Sequence, residues 1–246
     1  MKTIKYSIFI IFTVLLFSPS SSFSQLHISL GPAVGYTVPQ SDFAGSTSDY
    51  YKGTKYGLTG GIDFGAIGRL GLGPFNFNLS VLYTPLSNSG TSDVSPHTVD
   101  IKMHILTVGV GTQYGFGVPL APVKPYIGFD LLFSTFGGSF QFQGSPGYGL
   151  NTNSNDMNSS TRVGLGLAAG VNLKLLTTSI DISLRYNMLN LFSKRFEAPS
   201  GDRLDSYLYL NDDKDPNYAA SNQNHPIGSS RTIATLQLQL GVMFGF

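Results

Sequence analysis

The chain has no cysteine among its 246 residues. That excludes a disulfide-stapled secreted scaffold, and it excludes a lipoprotein, whose anchor needs a cysteine behind the leader. Charge is scarce as well. Asp, Glu, Lys and Arg make up 12% of the chain, where a soluble domain carries about 25%. Neither sign dominates, with 15 basic and 14 acidic residues, so bulk attraction to nucleic acid or another polyanion is excluded. Long apolar runs are missing beyond the first residues, and a membrane-spanning helix needs about 20 apolar positions in a row. A chain this poor in charge, with no helical span, must bury its apolar surface another way.

What the chain does have is alternation, glycine and aromatics: 29 Gly, 18 Phe and 13 Tyr. Residues 232–246 show the pattern best. Leu236, Leu238, Leu240, Val242, Phe244 and Phe246 alternate with Thr235, Gln237, Gln239, Gly241 and Gly245, and only Met243 breaks the set. A period of two is a strand with one apolar face. Similar segments run over 26–38, 55–67, 75–84, 100–116, 125–136, 161–175 and 179–191, which predicts eight strands. In 100–116 the alternation changes phase at Ile105–Leu106, which predicts a bulge there. The links after the second, fourth and sixth segments are short. Those after the first, third, fifth and seventh are long, at 39–54, 85–99, 137–160 and 192–230.

The start of the chain reads as a leader. Lys2 and Lys5 precede an apolar run over 6–17, and small residues at Ser22 and Ser24 suit cleavage before Gln25. This is the layout of a secretory signal peptide. The expected organisation is a signal peptide at 1–24 and one domain at 25–246. Removal of the leader leaves 13 basic against 14 acidic residues.

Eight strands with short turns at one end and long polar loops at the other are the layout of an outer-membrane barrel. In hydrocarbon every backbone N–H and C=O must be paired within the protein, so a spanning sheet has to close on itself. A soluble barrel would carry its charges outward. Here the apolar faces carry almost none, while Asp63, Asp130, Arg162, Lys174, Asp181 and Arg185 share the opposite face with Gly, Ser, Thr, Asn and Gln. The fold expected is all-β, an eight-stranded antiparallel transmembrane up-and-down barrel.

The chain is similar to the small eight-stranded outer-membrane barrel family that includes the OmpA membrane domain and OmpX. The likeness rests on the leader, the strand–turn–loop rhythm, Lys124-Pro-Tyr-Ile-Gly128, Asp181-Ile-Ser-Leu-Arg-Tyr186 and the terminal Phe246. It implies that Phe246 is the signal read by the barrel-assembly machinery. It implies as partners that machinery, periplasmic chaperones and outer-membrane lipids, with the protein a monomer.

The six inward charges are the sharpest chemical feature. Unpaired charges in a tight lumen carry a large desolvation cost. They are therefore expected to form a network that fixes register, or else the filter of a narrow pore. Asp181 and Arg185 lie about 13 Å apart along one strand, so pairing is expected across strands. Other motifs are weaker. Asp213-x-Asp215-x-Asn217 begins like a calcium loop, but Tyr218 stands where glycine is needed and Asn224 where glutamate is needed. Residues 164–169 fit a degenerate dinucleotide fingerprint in mid-strand with no helix after it, so phosphate binding is excluded. A lipid-modifying enzyme would need a loop-side His, Ser and acid. His27 and Ser29 lie at the turn end, His97 and His104 have no evident Ser–acid partners, and the one glutamate is Glu197. No cofactor, metal or nucleic acid is expected. The expected role is non-enzymatic, structural or surface interaction with an unknown extracellular ligand through the loops. The alternative is a narrow channel for ions or small solutes.

Overall fold

The computed structural model describes residues 26–51, 54–92, 97–116, 122–144, 153–175, 178–192 and 232–245. Eight strands appear in chain order: β1 (His27–Ser41), β2 (Gly61–Leu72), β3 (Phe75–Thr91), β4 (Thr98–Gly115), β5 (Val123–Gln143), β6 (Asn155–Leu175), β7 (Thr178–Met188) and β8 (Ile233–Gly245). Each pairs antiparallel with its neighbours in sequence, and β1 pairs with β8 to close the barrel. The seam runs from Ser29↔Gly245 to Ser41↔Ile233. One short helix, α1 (Thr47–Tyr51), lies between β1 and β2.

The strands are unequal in height. Pairing of β1 with β2 stops at Thr37↔Gly61, and pairing of β2 with β3 stops at Phe64↔Tyr83. Pairing of β6 with β7 stops at Leu165↔Met188. The hairpin of β3 and β4 continues to Thr91↔Thr98, and that of β5 and β6 to Phe140↔Asn155. Four strands therefore rise above the other four at the loop end, by roughly 25 Å of strand length on β3.

Through the lower part of the barrel the apolar side chains point outward. Leu30, Val34, Phe64, Leu79, Val110, Phe129, Leu167, Leu184 and Leu240 are all exposed, and together they form an apolar belt. Inward positions at the same height are mostly polar or glycine, with one small apolar cluster of Ala33, Ile67, Leu82 and Met243 among them. On the tall wall the sense inverts. Ser87, Ser89, Lys102, His104 and Thr161 are exposed, while Val99, Ile101, Met103, Phe136, Phe140 and Phe142 are buried on the inner face.

This inversion explains the phase change expected to be a bulge. The β4 register with both neighbours runs unbroken through Ile105 and Leu106. Odd-numbered residues face inward along the whole strand, and what changes is the chemistry outside, from belt to water. The bulge in the sheet is elsewhere: the β5–β6 register shifts between Phe136 and Gly138, so that Asn158 and Ser159 oppose Gly137. The expected second strand also began too early. Tyr56 and Leu58 are buried, but they belong to the loop before β2.

Candidate functional site: a lumen in two tiers

The polar tier fills the lumen within the belt. Asp63 is fully buried; it accepts a hydrogen bond from the Thr37 hydroxyl at 2.8 Å and one from the Gln237 amide at 2.8 Å. Asp130 pairs with the Arg185 guanidinium from β7. Asp181 pairs with Arg69 at 2.8 Å and accepts the Tyr126 hydroxyl at 2.9 Å, while Arg69 also lies over the Tyr126 ring, 5.7 Å from its centroid. A buried charge stays ionised at tolerable cost only with an opposite charge and hydrogen bonds around it; the two Arg–Asp pairs meet that condition across strands that are not neighbours.

Glycine makes room for these groups. Asp63 pairs in register with Gly35, and a Cβ added at Gly35 would come within 2.7 Å of the carboxylate. Asp130 pairs with Gly111, where an added Cβ would stand 2.2 Å from the carboxylate oxygen. Asp181 pairs with Gly241. Each acid thus lies against a residue without a side chain, which leaves space for the long partner that reaches it from another strand.

Of the six charges expected inside, Asp63, Asp130, Asp181, Arg162 and Arg185 are buried. Arg162 lies near the top of the tier, bonded to the Ser160 hydroxyl and the Thr161 carbonyl. Lys174 corrects the expectation. It keeps the inward phase of β6, but it is exposed next to the turn to β7, where the barrel opens to solvent. Arg69, which the sequence reading assigned to a turn, takes the place of a third cation. The signal was available: the alternation from Asp63 through Gly65 and Ile67 carries on to residue 69. Tyr126, Thr37 and Gln237 were missed because a phenol, a hydroxyl and an amide carry no distinctive spacing. Phe246, Glu197 and the acidic cluster at 211–217 lie outside the described residues.

Above the polar tier the lumen is apolar. Phe43, Leu58, Val99, Ile101, Met103, Ile105, Phe136 and Phe140 are buried in one cluster. The segment between β1 and β2, described at 42–51 and 54–60, folds into the mouth and supplies part of it. Phe43 meets Tyr56 and Phe136 edge-on at 5.5 and 6.2 Å, and Tyr50 meets Phe140 at 6.2 Å. β3 fastens this plug. The Asn88 amide donates to the Gly57 carbonyl at 2.7 Å and to that of Gly45 at 3.4 Å, and the Thr47 hydroxyl donates to the Thr91 carbonyl at 2.9 Å. Gly45 and Gly57 have positive φ, 143° and 66°, a backbone that side-chain-bearing residues rarely adopt. Between the tiers lies a cavity of about 20 Å³, touched by Thr37, Arg185, Asn187 and Thr235 from below and by Ile105 and Leu132 from above.

The sequence model of the family described as outer membrane protein beta-barrel domain matches residues 10–244. No curated protein matches the chain in sequence. Among solved structures, the outer membrane protein OprG from Pseudomonas aeruginosa is similar with a TM-score of 0.51 and 11% identity, over 92% of this chain and 98% of that one. Neisserial surface protein A (NspA) is similar with a TM-score of 0.48 and 17% identity, over 89% and 97%. A major outer membrane protein from Thermus thermophilus has a TM-score of 0.45 and 15% identity, over 88% and 99%. At such identities likeness speaks to fold alone. With the family match spanning nearly the whole chain, and a closed eight-stranded barrel wearing an apolar belt, this chain belongs to the outer membrane protein beta-barrel domain family and is an outer-membrane barrel protein.

Proposed function

We propose that this protein is a non-enzymatic surface barrel whose lumen is closed and whose loop end meets partners outside the cell. The observation that carries this reading is the filling of the lumen by two stacked tiers, one of ion pairs and one of aromatic and aliphatic side chains. Such an interior holds strands in register. The height difference between β3–β6 and the other strands supports the second half of the reading, because it lifts a polar wall with Ser87, Ser89, Lys102 and Gln143 exposed above the belt.

In this reading the loop end faces outward and the turn end faces the periplasm. Residues 1–24 are removed on export, Phe246 is presented to the assembly machinery, lipids surround the belt, and the barrel works as a monomer. The test compares cells with and without the protein for attachment to other cell surfaces and for uptake of small polar solutes. Replacing the tip of the β3–β4 hairpin should reduce attachment and leave uptake unchanged. Protein-dependent uptake with no change in attachment would overturn the reading in favour of a pore.

A further inference from the structure

At the turn end the inner face of the barrel carries more positive charge than its acids can pair. Lys124 keeps the inward phase of Tyr126 and Asp130 on β5, and Lys174 keeps that of Asn172 on β6. Lys124 pairs in register with Asn172 and Lys174 with Ser179, while the Asn172 amide donates to the Ser179 hydroxyl at 3.3 Å. The two lysines are thus diagonal neighbours on one face, their bases roughly 7 Å apart. Both are exposed, and neither has a carboxylate within ion-pair reach among the described residues. Asp181, which pairs in register with Asn172, is held by Arg69 and Tyr126. Three cations therefore share one acid in this bowl.

The floor of the bowl is polar and unsatisfied. Asn78 pairs in register with Arg69, and Gln113 with Asn76 one inward position nearer the turn. Asn78 is 7% and Gln113 3% exposed, yet both amide atoms of Asn78, Gln113 Oε1 and Arg69 Nε find no hydrogen-bond partner among the described residues. Buried polar atoms are satisfied almost without exception, so four such atoms together mark a place where a polar group binds. Deeper in, Ile67 follows Arg69 on β2 and is buried with Ala33, Leu82 and Met243, which makes the bowl blind.

We propose that this bowl binds inorganic phosphate or a phosphate monoester. The lysine ammoniums at the rim supply charge in a cleft with low-dielectric walls, where the field is focused. Asn78 Nδ2 and Arg69 Nε donate to phosphoryl oxygens. Asn78 Oδ1 and Gln113 Oε1 accept from the P–OH group, which sulfate lacks at neutral pH and a lipid phosphodiester lacks altogether. A periplasmic source for the anion rests on the orientation proposed above, whereas binding itself does not.

The experiment is equilibrium dialysis of labelled phosphate against the refolded full-length barrel in an uncharged detergent, with heat-shifted gel mobility as the check on folding. Saturable binding of one phosphate is expected. Lys124→Met and Lys174→Met should each weaken it roughly tenfold, the effect of one charge-assisted hydrogen bond. Asn78→Leu should weaken it similarly, and Lys102→Met, at the loop end, should leave it unchanged. Sulfate, and phosphatidylglycerol added to the micelles, should compete at least about tenfold more weakly than phosphate. Absence of saturable binding to folded wild type would overturn the proposal. So would binding that survives the double change Lys124→Met/Lys174→Met, or equal competition by sulfate or phosphatidylglycerol. None of these outcomes bears on attachment at the loop end, so the surface reading stands or falls separately.

Discussion

The lower and upper halves of this lumen obey one geometric rule and hold opposite chemistry. In both, alternate residues of each strand point inward. Within the belt the outward positions are Leu, Val, Ile, Phe and Tyr, and the inward ones include Asp63, Asp130, Asp181, Arg69, Arg185 and their glycine neighbours, with only a small apolar cluster of Ala33, Ile67, Leu82 and Met243 beside them. Above the belt the outward positions are Ser87, Ser89 and Lys102, and the inward ones are Val99, Ile101 and Phe140. What decides is the solvent outside. Hydrocarbon rewards apolar surface on the wall and leaves the polar groups to pair inside, whereas water rewards an apolar interior. A strand such as β4 crosses both regimes and changes pattern without changing geometry.

The largest effect should come from breaking an ion pair in the lower tier. Arg185→Ala strands Asp130 in the lumen and is expected to cost about 3–5 kcal/mol, read as a lower urea midpoint for loss of the fast-migrating gel form in lipid vesicles. Asp130→Leu combined with Arg185→Met should recover most of that loss, because a pair replaced together leaves no orphaned charge. In the upper tier Phe43→Ala removes a fully buried ring, with a local cost of about 3–5 kcal/mol. Amide exchange and proteolysis should quicken in 42–60 while the barrel keeps its urea midpoint. An equal fall in both would mean that the tiers unfold as one unit.

The outer surface sharpens the same contrast. Leu240→Arg, in mid-belt, should cost about 2–4 kcal/mol, whereas Gln143→Arg, on the exposed wall, should change stability by less than about 0.5 kcal/mol. Equal costs at the two sites would contradict the assigned height of the belt. Smaller than the charge-stranding and belt changes, Thr37→Val removes one of the two side-chain donors to Asp63 and should cost about 1–3 kcal/mol, measured by the same urea titration.

The belt half was legible in the sequence because its alternation is uniform. The eight strands, the outward apolar face and the inward placement of Asp63, Asp130, Asp181, Arg162 and Arg185 follow from a period of two. The upper half was not. Leu86, Val99, Ile101 and Met103 are apolar residues pointing inward, so a reading that equates apolar with outward puts a bulge at Ile105 and ends β3, β5 and β6 where the inner face turns apolar. Tyr56 and Leu58 mimic a strand while serving a plug. Partner choice in the ion-pair tier was hidden for another reason: Arg69 meets Asp181, and Arg185 meets Asp130, between strands that are not paired with each other, a proximity that no spacing along the chain encodes.

The seam between β1 and β8 joins residues roughly two hundred positions apart in the chain. Contacts of such separation are late and slow in folding, because the intervening chain must be ordered before they reward it. Until β8 arrives, the sheet has two open edges, and hydrocarbon offers nothing to pair with them. Insertion of this barrel is therefore an all-or-none event timed by its last strand, and a chain interrupted before Ile233 has no partly assembled form that a bilayer would tolerate.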